Sequence, residues 1–551
     1  MEAFNTLQVV IIISAIIAIQ ESIAKSYEYD GTIVQLEEGK IRGHILKSEK
    51  GNDYYAFQEI PYAAPPIGEN RFQLAKPAKP WTHVLDTTKN TNICYQASSP
   101  LINLKLSEDC LYINVYSPQK PGSNNFLPVL LWIHGGAFVF EAATIDYFGP
   151  KYLMDAGIVV VTFNYRLGPF GFVGTNDGVI PLNIGLKDQR FAMEWVNKNI
   201  NLFGGNPDHV TIAGESSGSL SVGYHLIGPW KNGKQLFHAA IMQSASTISG
   251  LLTQDDETNT ALALGRLVDP EFKSNDTKEL LNILQNAEAN DIQKAGIPIG
   301  VSTELEGPFS YGSFAAFLSG NYKKVPVLSG FTSEEGGGAA FLKNEDILKL
   351  LDQNPSQLID SRINMSPEDR AIAGNLRKQL YTDNSSFVED FGAFIRYLSD
   401  RFCIHGICKQ VELQSANVPN YFYRFSYKGE LGGVMGLLPF LPPDVDTVCH
   451  GEDNQYLWDD GVNDDLSKFP ESDQLVLHKF AKLYTNFVKF YNPTPEIDPL
   501  LDNVIWPPSE PKSLRYLNIN ETLSMQENPR QYKEVNEIME KYMQPPFVLF
   551  G

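Results

Sequence analysis

Gly214-Glu215-Ser216-Ser217-Gly218 sets one hydroxyl between two glycines, with a carboxylate directly before it. A serine held in a tight turn can attack a carbonyl if a base takes its proton and donors stabilise the oxyanion that forms. The apolar run Val210 to Ala213 leads straight into this segment, and a helical stretch begins at Ser219. Strand, sharp turn and helix together lift such a serine above a sheet. Gly214 and Gly218 bring no side chain to clash there, and the helix N-terminus points its positive dipole at the developing anion. Chance yields roughly 0.2 matches to this pattern in a chain of this composition, so the motif needs partners elsewhere.

Donors come from His134-Gly135-Gly136-Ala137-Phe138, which follows the apolar run Val129 to Ile133. A glycine-rich turn there can aim backbone N–H groups at an oxyanion. The N–H groups of Gly136, Ala137 and Ser217 would make the hole, and His134 reads as a turn residue. The base must come from His225, His238, His405, His450 or His478. His478 falls in the helical pattern Gln474 to Phe490, and His405 in the helical stretch Cys403 to Cys408. His450 lies in the polar loop Cys449-His450-Gly451-Glu452-Asp453, and loops carry function more often than buried elements do. An orienting carboxylate stands in Ser333-Glu334-Glu335-Gly336, after the apolar run Val325 to Leu328. Spacing alone does not choose between Glu334 and Glu335. No His-Glu-x-x-His and no Cys-x-x-Cys occurs, so the expectation is no metal. The chemistry above needs no cofactor.

Positioning these groups falls to a run of predicted elements. Ile33 to His44 and Tyr54 to Ile60 read as short strands, with turns at Gly39 and Gly51-Asn52. The runs Val129 to Ile133, Ile158 to Phe163, Val210 to Ala213 and Val325 to Leu328 are apolar on both faces, as strands buried in a parallel sheet are. Ala192, Trp195, Val196 and Ile200 recur at helical spacing. The alternation predicts an α/β fold, a mostly parallel central sheet with helices on both faces. No linker divides it, so residues 25–551 read as a single domain.

The chain has 551 residues, is 43% hydrophobic and carries a net charge of −21. It can bury a large core, and its charge repels nucleic acid and anionic membranes. Leu7 to Ile19 is an apolar run followed by small residues at Ser22 and Ala24. This reads as a signal peptide over residues 1–24, too short to span a bilayer. The expectation is therefore a secreted protein without a stable membrane anchor. Sequons at Asn275, Asn364, Asn384 and Asn520 are glycan candidates in an exported chain. Cys403 and Cys408 fall in a helical stretch facing different ways, which suits free thiols. With five cysteines, at least one has no partner within the chain.

Longer motifs carry a resemblance. Phe57-Gln58-Glu59-Ile60-Pro61-Tyr62-Ala63, then Pro65-Pro66-Ile67-Gly68 and Arg71-Phe72, then Ser107-Glu108-Asp109-Cys110-Leu111-Tyr112-Ile113-Asn114-Val115 run in one order. Asn164-Tyr165-Arg166-Leu167 and Phe203-Gly204-Gly205-Asn206-Pro207 precede the serine motif. In these segments the chain resembles the type-B carboxylesterase family, which includes cholinesterases and secreted insect carboxylesterases. The resemblance implies an α/β-hydrolase fold and a serine esterase acting on small-molecule esters, with Ser216, Glu335 and His450 as the triad. Glu335 matches by preceding Gly336, and His450 by preceding Tyr456-Leu457. Cys94 and Cys110 match the family's first disulfide, and Glu215 a carboxylate that supports the base and the hydrolytic water. Three departures stand out. Ser217 replaces the usual Ala, and its hydroxyl threatens the hole. The stretch between Cys94 and Cys110 has no Trp, which disfavours choline esters because cholinesterases hold the ammonium on that ring. Glu215 stands where juvenile hormone esterases usually carry Gln, against a dedicated enzyme of that kind. The other alternative is a noncatalytic adhesion or binding protein on the same fold; such relatives typically lose a triad member.

Overall fold

The computed structural model describes residues 32–97, 104–228, 234–254, 257–304, 312–383, 385–432, 441–442, 444–461 and 465–550. The signal segment and Asn384 lie outside the described residues.

An eleven-stranded sheet forms the centre. Its strands are β1 (His44–Lys47), β2 (Asp53–Pro61), β3 (Tyr112–Ser117), β4 (Leu127–Ile133), β5 (Val159–Phe163) and β6 (Gly205–Glu215). Then follow β7 (Ala239–Gln243), β8 (Val327–Thr332), β9 (Asn420–Phe425), β10 (Arg515–Ile519) and β11 (Ser524–Glu527). The spatial order is β11-β10-β9-β8-β7-β6-β4-β5-β3-β2-β1. All pairings from β10 across to β5 are parallel. Antiparallel strands close both edges.

The unbroken apolar runs have a simple cause. Along β4, Val129, Leu131 and Ile133 enter one core while Leu130 and Trp132 enter another. Strand side chains alternate in direction, so a sheet covered on both faces needs apolar residues at every position. Helices α1 (Ile184–Asn199), α2 (Ser217–Ile227) and α4 (His405–Ser415) contribute to the first core, after α3 (Phe391–Ser399) in the chain. Helix α5 (Glu471–Phe490) covers the opposite face through Val476, Phe480, Tyr484 and Phe487.

One strand is displaced from its expected span. β8 begins at Val327, two residues after Val325. Pro326 has no N–H to give a ladder, although its carbonyl accepts from Ala240 at 3.0 Å. Cys94 and Cys110 are bonded, and Cys403, Cys408 and Cys449 are free and buried.

The disulfide joins residues 16 apart. Replacing both cysteines by alanine should cost about 3 kcal/mol through the entropy of the unfolded chain. A fall in the denaturant midpoint measures it; an unchanged midpoint would contradict the loop argument.

Candidate active site

β6 delivers Ser216 to a turn that few residues tolerate. Its backbone lies at φ 57°, ψ −124°, a region whose occupancy costs about 1–3 kcal/mol. Ser216 N–H donates to Gln243 O, and Leu220 N–H donates to Ser216 O, each at 3.0 Å. The glycines are required by close approach. A Cβ on Gly218 would lie 2.1 Å from the Ile133 carbonyl oxygen, and one on Gly214 2.5 Å from the Gly218 carbonyl carbon. Turn and helix therefore press directly on the end of β4.

From that same end of β4 runs the second turn. Gly136, Ala137 and Phe138 have φ of 85°, 53° and 62°. Phe138 N–H donates to Ser217 Oγ at 3.2 Å, and Gly168 N–H to Phe138 O at 2.7 Å. The N–H groups of Gly136, Ala137 and Ser217 donate to no acceptor among the described residues. The Ser217 hydroxyl, expected as a disturbance, instead braces this turn.

The imidazole of His450 stands between two carboxylates. Its Nδ1 is 2.6 Å from Glu335 Oε2, and its Nε2 is 3.1 Å from Glu215 Oε1. The second contact is electrostatic, because Glu215 Oε1 accepts no aligned hydrogen bond. Glu335 is fixed in turn by the Thr332 N–H, which donates to Oε1 at 2.8 Å. Burial opposes charge on His450, but Glu215 and Glu335, with contacts to Cys403 and Glu335, hold its pKa well above the usual value. Burial pushes Glu215 up to about 7, aided by Asp453 and Glu335 and opposed by His450. Ser216 Oγ makes no hydrogen bond to a described residue; such contacts are often long before substrate fills a site.

Geometry separates the two adjacent glutamates. Glu334 turns away, accepting from Ser399 Oγ at 2.5 Å and from Arg530 Nη2 at 3.1 Å. Arg530 also donates to Asp400 at 2.6 Å and to the Ser333 carbonyl at 2.6 Å, so it ties down the segment that carries Glu335.

The other histidines have structural partners. His134 is buried, its pKa pushed down to about 3 by burial, and stacks on Tyr165 at 4.4 Å. His225 meets Gln189 at 2.9 Å, His238 Nδ1 accepts from Val210 N–H at 3.2 Å, and His405 faces the Arg530 carbonyl at 3.2 Å. His478 sits on α5. Of the sequons, Asn275 is exposed and Asn364 contacts the Pro545 carbonyl. Asn520 spends its amide nitrogen on Ser426.

Sequence reasoning missed four contributors. Gln96 holds Glu141 through both backbone groups, at 2.8 and 2.9 Å. Below the imidazole, Asp453 accepts from Gln243 and Tyr423 at 3.1 and 2.9 Å. The Cys403 sulfur stands within 4.8 Å of a ring nitrogen of His450 and of a carboxylate oxygen of Glu335. Cys403 and Asp453 lay within segments already singled out, and Glu141 did not.

The chain matches the model of the carboxylesterase family over residues 30–536. It is 31% identical to a juvenile hormone esterase of Tribolium castaneum over 509 residues, 85% of each chain. It is 33% identical to venom carboxylesterase-6 of Apis mellifera over 511 residues, 87% of this chain and 89% of the other. Among solved structures, the juvenile hormone esterase of Manduca sexta with OTFP covalently attached superposes with a TM-score of 0.81. It is 25% identical and covers 93% of this chain and 99% of that one. The fold is that of the α/β-hydrolases.

Arg530→Met strands Glu334 and Asp400, whose side chains are each 3% exposed, without their cation. Breaking such a buried network should cost about 3–5 kcal/mol. Urea denaturation reads this, and a loss below about 1 kcal/mol, the worth of an exposed pair, would contradict it.

Proposed function

This chain belongs to the carboxylesterase family and is a carboxylic ester hydrolase, and from that premise we propose that it works through an acyl-Ser216 intermediate. Ser216 Oγ attacks the ester carbonyl while His450 Nε2 takes its proton. The N–H groups of Gly136, Ala137 and Ser217 receive the oxyanion, each donor contributing about 3 kcal/mol. The alcohol leaves with the proton from His450, and water activated by the same ring releases the acid. Glu335 holds the proton on Nδ1 so that Nε2 faces the serine, and Glu215 steadies the imidazolium. The observation that carries this reading is the 2.6 Å contact of His450 Nδ1 with Glu335, beside a serine at φ 57°.

The substrates are small-molecule carboxylic esters. The protein is secreted after loss of residues 1–24, folds as one domain over 25–551, and carries a glycan at Asn275. Among the described residues no helix is long and apolar enough to cross a membrane. Dedicated hydrolysis of juvenile hormone is the second reading, favoured by relatives of that name. Glu215 in place of the usual Gln stands against it, and turnover of juvenile hormone beside a panel of short-chain esters separates the two.

Treatment with an organophosphate followed by mass spectrometry should place one adduct on Ser216. Ser216→Ala should lower kcat on p-nitrophenyl acetate by about 10⁴-fold or more. An adduct elsewhere, or turnover that survives the substitution, would falsify the mechanism and leave a noncatalytic protein on this fold.

A base acts only when neutral, so kcat/KM rises as pH climbs through the His450 pKa. Glu215 favours the charged ring. Glu215→Gln keeps the shape and removes that charge, so the acid limb should move to lower pH. A limb that stays in place, or moves up, would show that Glu215 does not act on the base.

A further inference from the structure

We propose that Cys403, His450 and Glu335 form a latent site for a soft divalent cation of the zinc or cadmium type, whose binding shuts the esterase off. The inference rests on the role proposed above for His450 and adds an inhibitory ion, not a resident cofactor. One ligand atom from each residue lies within 4.8 Å of the other two. Thiol, imidazole and carboxylate are the donors zinc takes at about 2.0–2.3 Å, and a thiol discriminates against magnesium and calcium, which want oxygen.

Local structure puts the thiol there. Between α3 and α4 the chain widens into a π-helical turn, Asp400–Ile404, with Cys403 on it. Such turns are frequent at functional sites because the extra residue redirects a side chain. Cys403 is 5% exposed and the Glu335 side chain fully buried, but a third of the His450 side chain is open, which gives the ion an approach. Cys449 does not compete: its sulfur lies against Gly337, 2.3 Å from where a Cβ would stand.

Donors around a tetrahedral ion at those bond lengths stand about 3.3–3.8 Å apart. The 2.6 Å contact between His450 and Glu335 must therefore open by less than about 1.2 Å. On coordination the thiol proton leaves to solvent, and the ring binds through Nδ1 as its neutral Nε2–H tautomer: a neutral ring passes its Nδ1 proton through solvent to Nε2, and a charged ring releases the Nδ1 proton. Glu335 is then bonded to the ion, and Nε2 cannot accept the serine proton. Glu215 and Asp453, both nearby, offset the added charge.

The test titrates the purified full chain with cadmium, zinc and magnesium, following p-nitrophenyl acetate turnover and the ultraviolet thiolate-to-cadmium absorption band. Expected are inhibition by cadmium and zinc but not magnesium, and a band that saturates in step with inhibition. Loss of a supporting contact already costs about 10–100-fold in metal affinity. Cys403→Ala and Cys403→Ser, each referred to its own uninhibited rate, should therefore raise the half-inhibiting cadmium concentration by about 100-fold or more and lose the band. Cys449→Ala should keep both. Inhibition unchanged in the Cys403 variants, or a band lost with Cys449 instead, overturns the proposal. Because the band needs no turnover, failure of the esterase reading is distinguishable from failure of the site.

Discussion

A single imidazole is caught between two carboxylates on different secondary-structure elements, and the surrounding structure is arranged so that this can persist out of water. Glu335 follows β8, Glu215 ends β6 and His450 lies in a loop after β9. An ionised carboxylate without partners does not survive such burial. Glu335 has such partners: it accepts from a backbone N–H and meets the ring. Glu215 has the ring but no aligned donor on Oε1, which is why burial dominates its shift. The sheet order fixes this meeting. β6, β7 and β8 are adjacent and parallel, so their C-terminal ends deliver the serine turn and the acid to one rim, where binding crevices of open α/β sheets lie.

That rim carries backbone strain. Ser216, Ala137 and Phe138 all have left-handed φ without being glycine, at about 1–3 kcal/mol each. Two cores, one per sheet face, offset this, and the strained residues are tied to one another. The Phe138–Ser217 bond links the donor turn to the serine turn. Gly214 and Gly218 let both turns lean on the end of β4. A shift of either turn would therefore move the other, so the geometry of donors and hydroxyl is set jointly.

How far the sequence revealed this follows from how local each signal is. Strand runs were legible because a sheet covered on both faces admits almost no polar residue inward. The serine turn was legible because steric demand writes glycine at fixed offsets. The choice between Glu334 and Glu335 was not, since adjacent residues of one type differ only in what they meet in space. One meets His450 and the other Arg530, 115 and 196 residues away in sequence. The start of β8 was misplaced by Pro326, whose apolar neighbours hid a missing donor. Ser217 was misjudged for a related reason. Its hydroxyl finds an N–H 79 residues distant, and no spacing rule carries that. Cys403 was legible as a buried thiol but not as a neighbour of the imidazole, because the π-helical turn that aims it has no sequence mark.

The carboxylates around His450 also explain why a Glu beside the serine has a cost. Burial pushes Glu141 up to about 8, Glu215 to about 7 and Asp453 to about 6, with Glu215 adding to the shift of Glu141 and Glu335 to that of Asp453. Each group that ionises makes the next harder to ionise and makes a charged imidazole easier to form. In the proposed mechanism an imidazolium accompanies both tetrahedral intermediates, so this field lowers both barriers once the proton has moved. The same field charges the ring beforehand and reduces the fraction of free base near neutrality. A glutamine before the serine would relieve the second effect and forfeit part of the first. Glu215 therefore shifts the balance toward stabilising charge after attack, and that advantage grows as the medium becomes more alkaline.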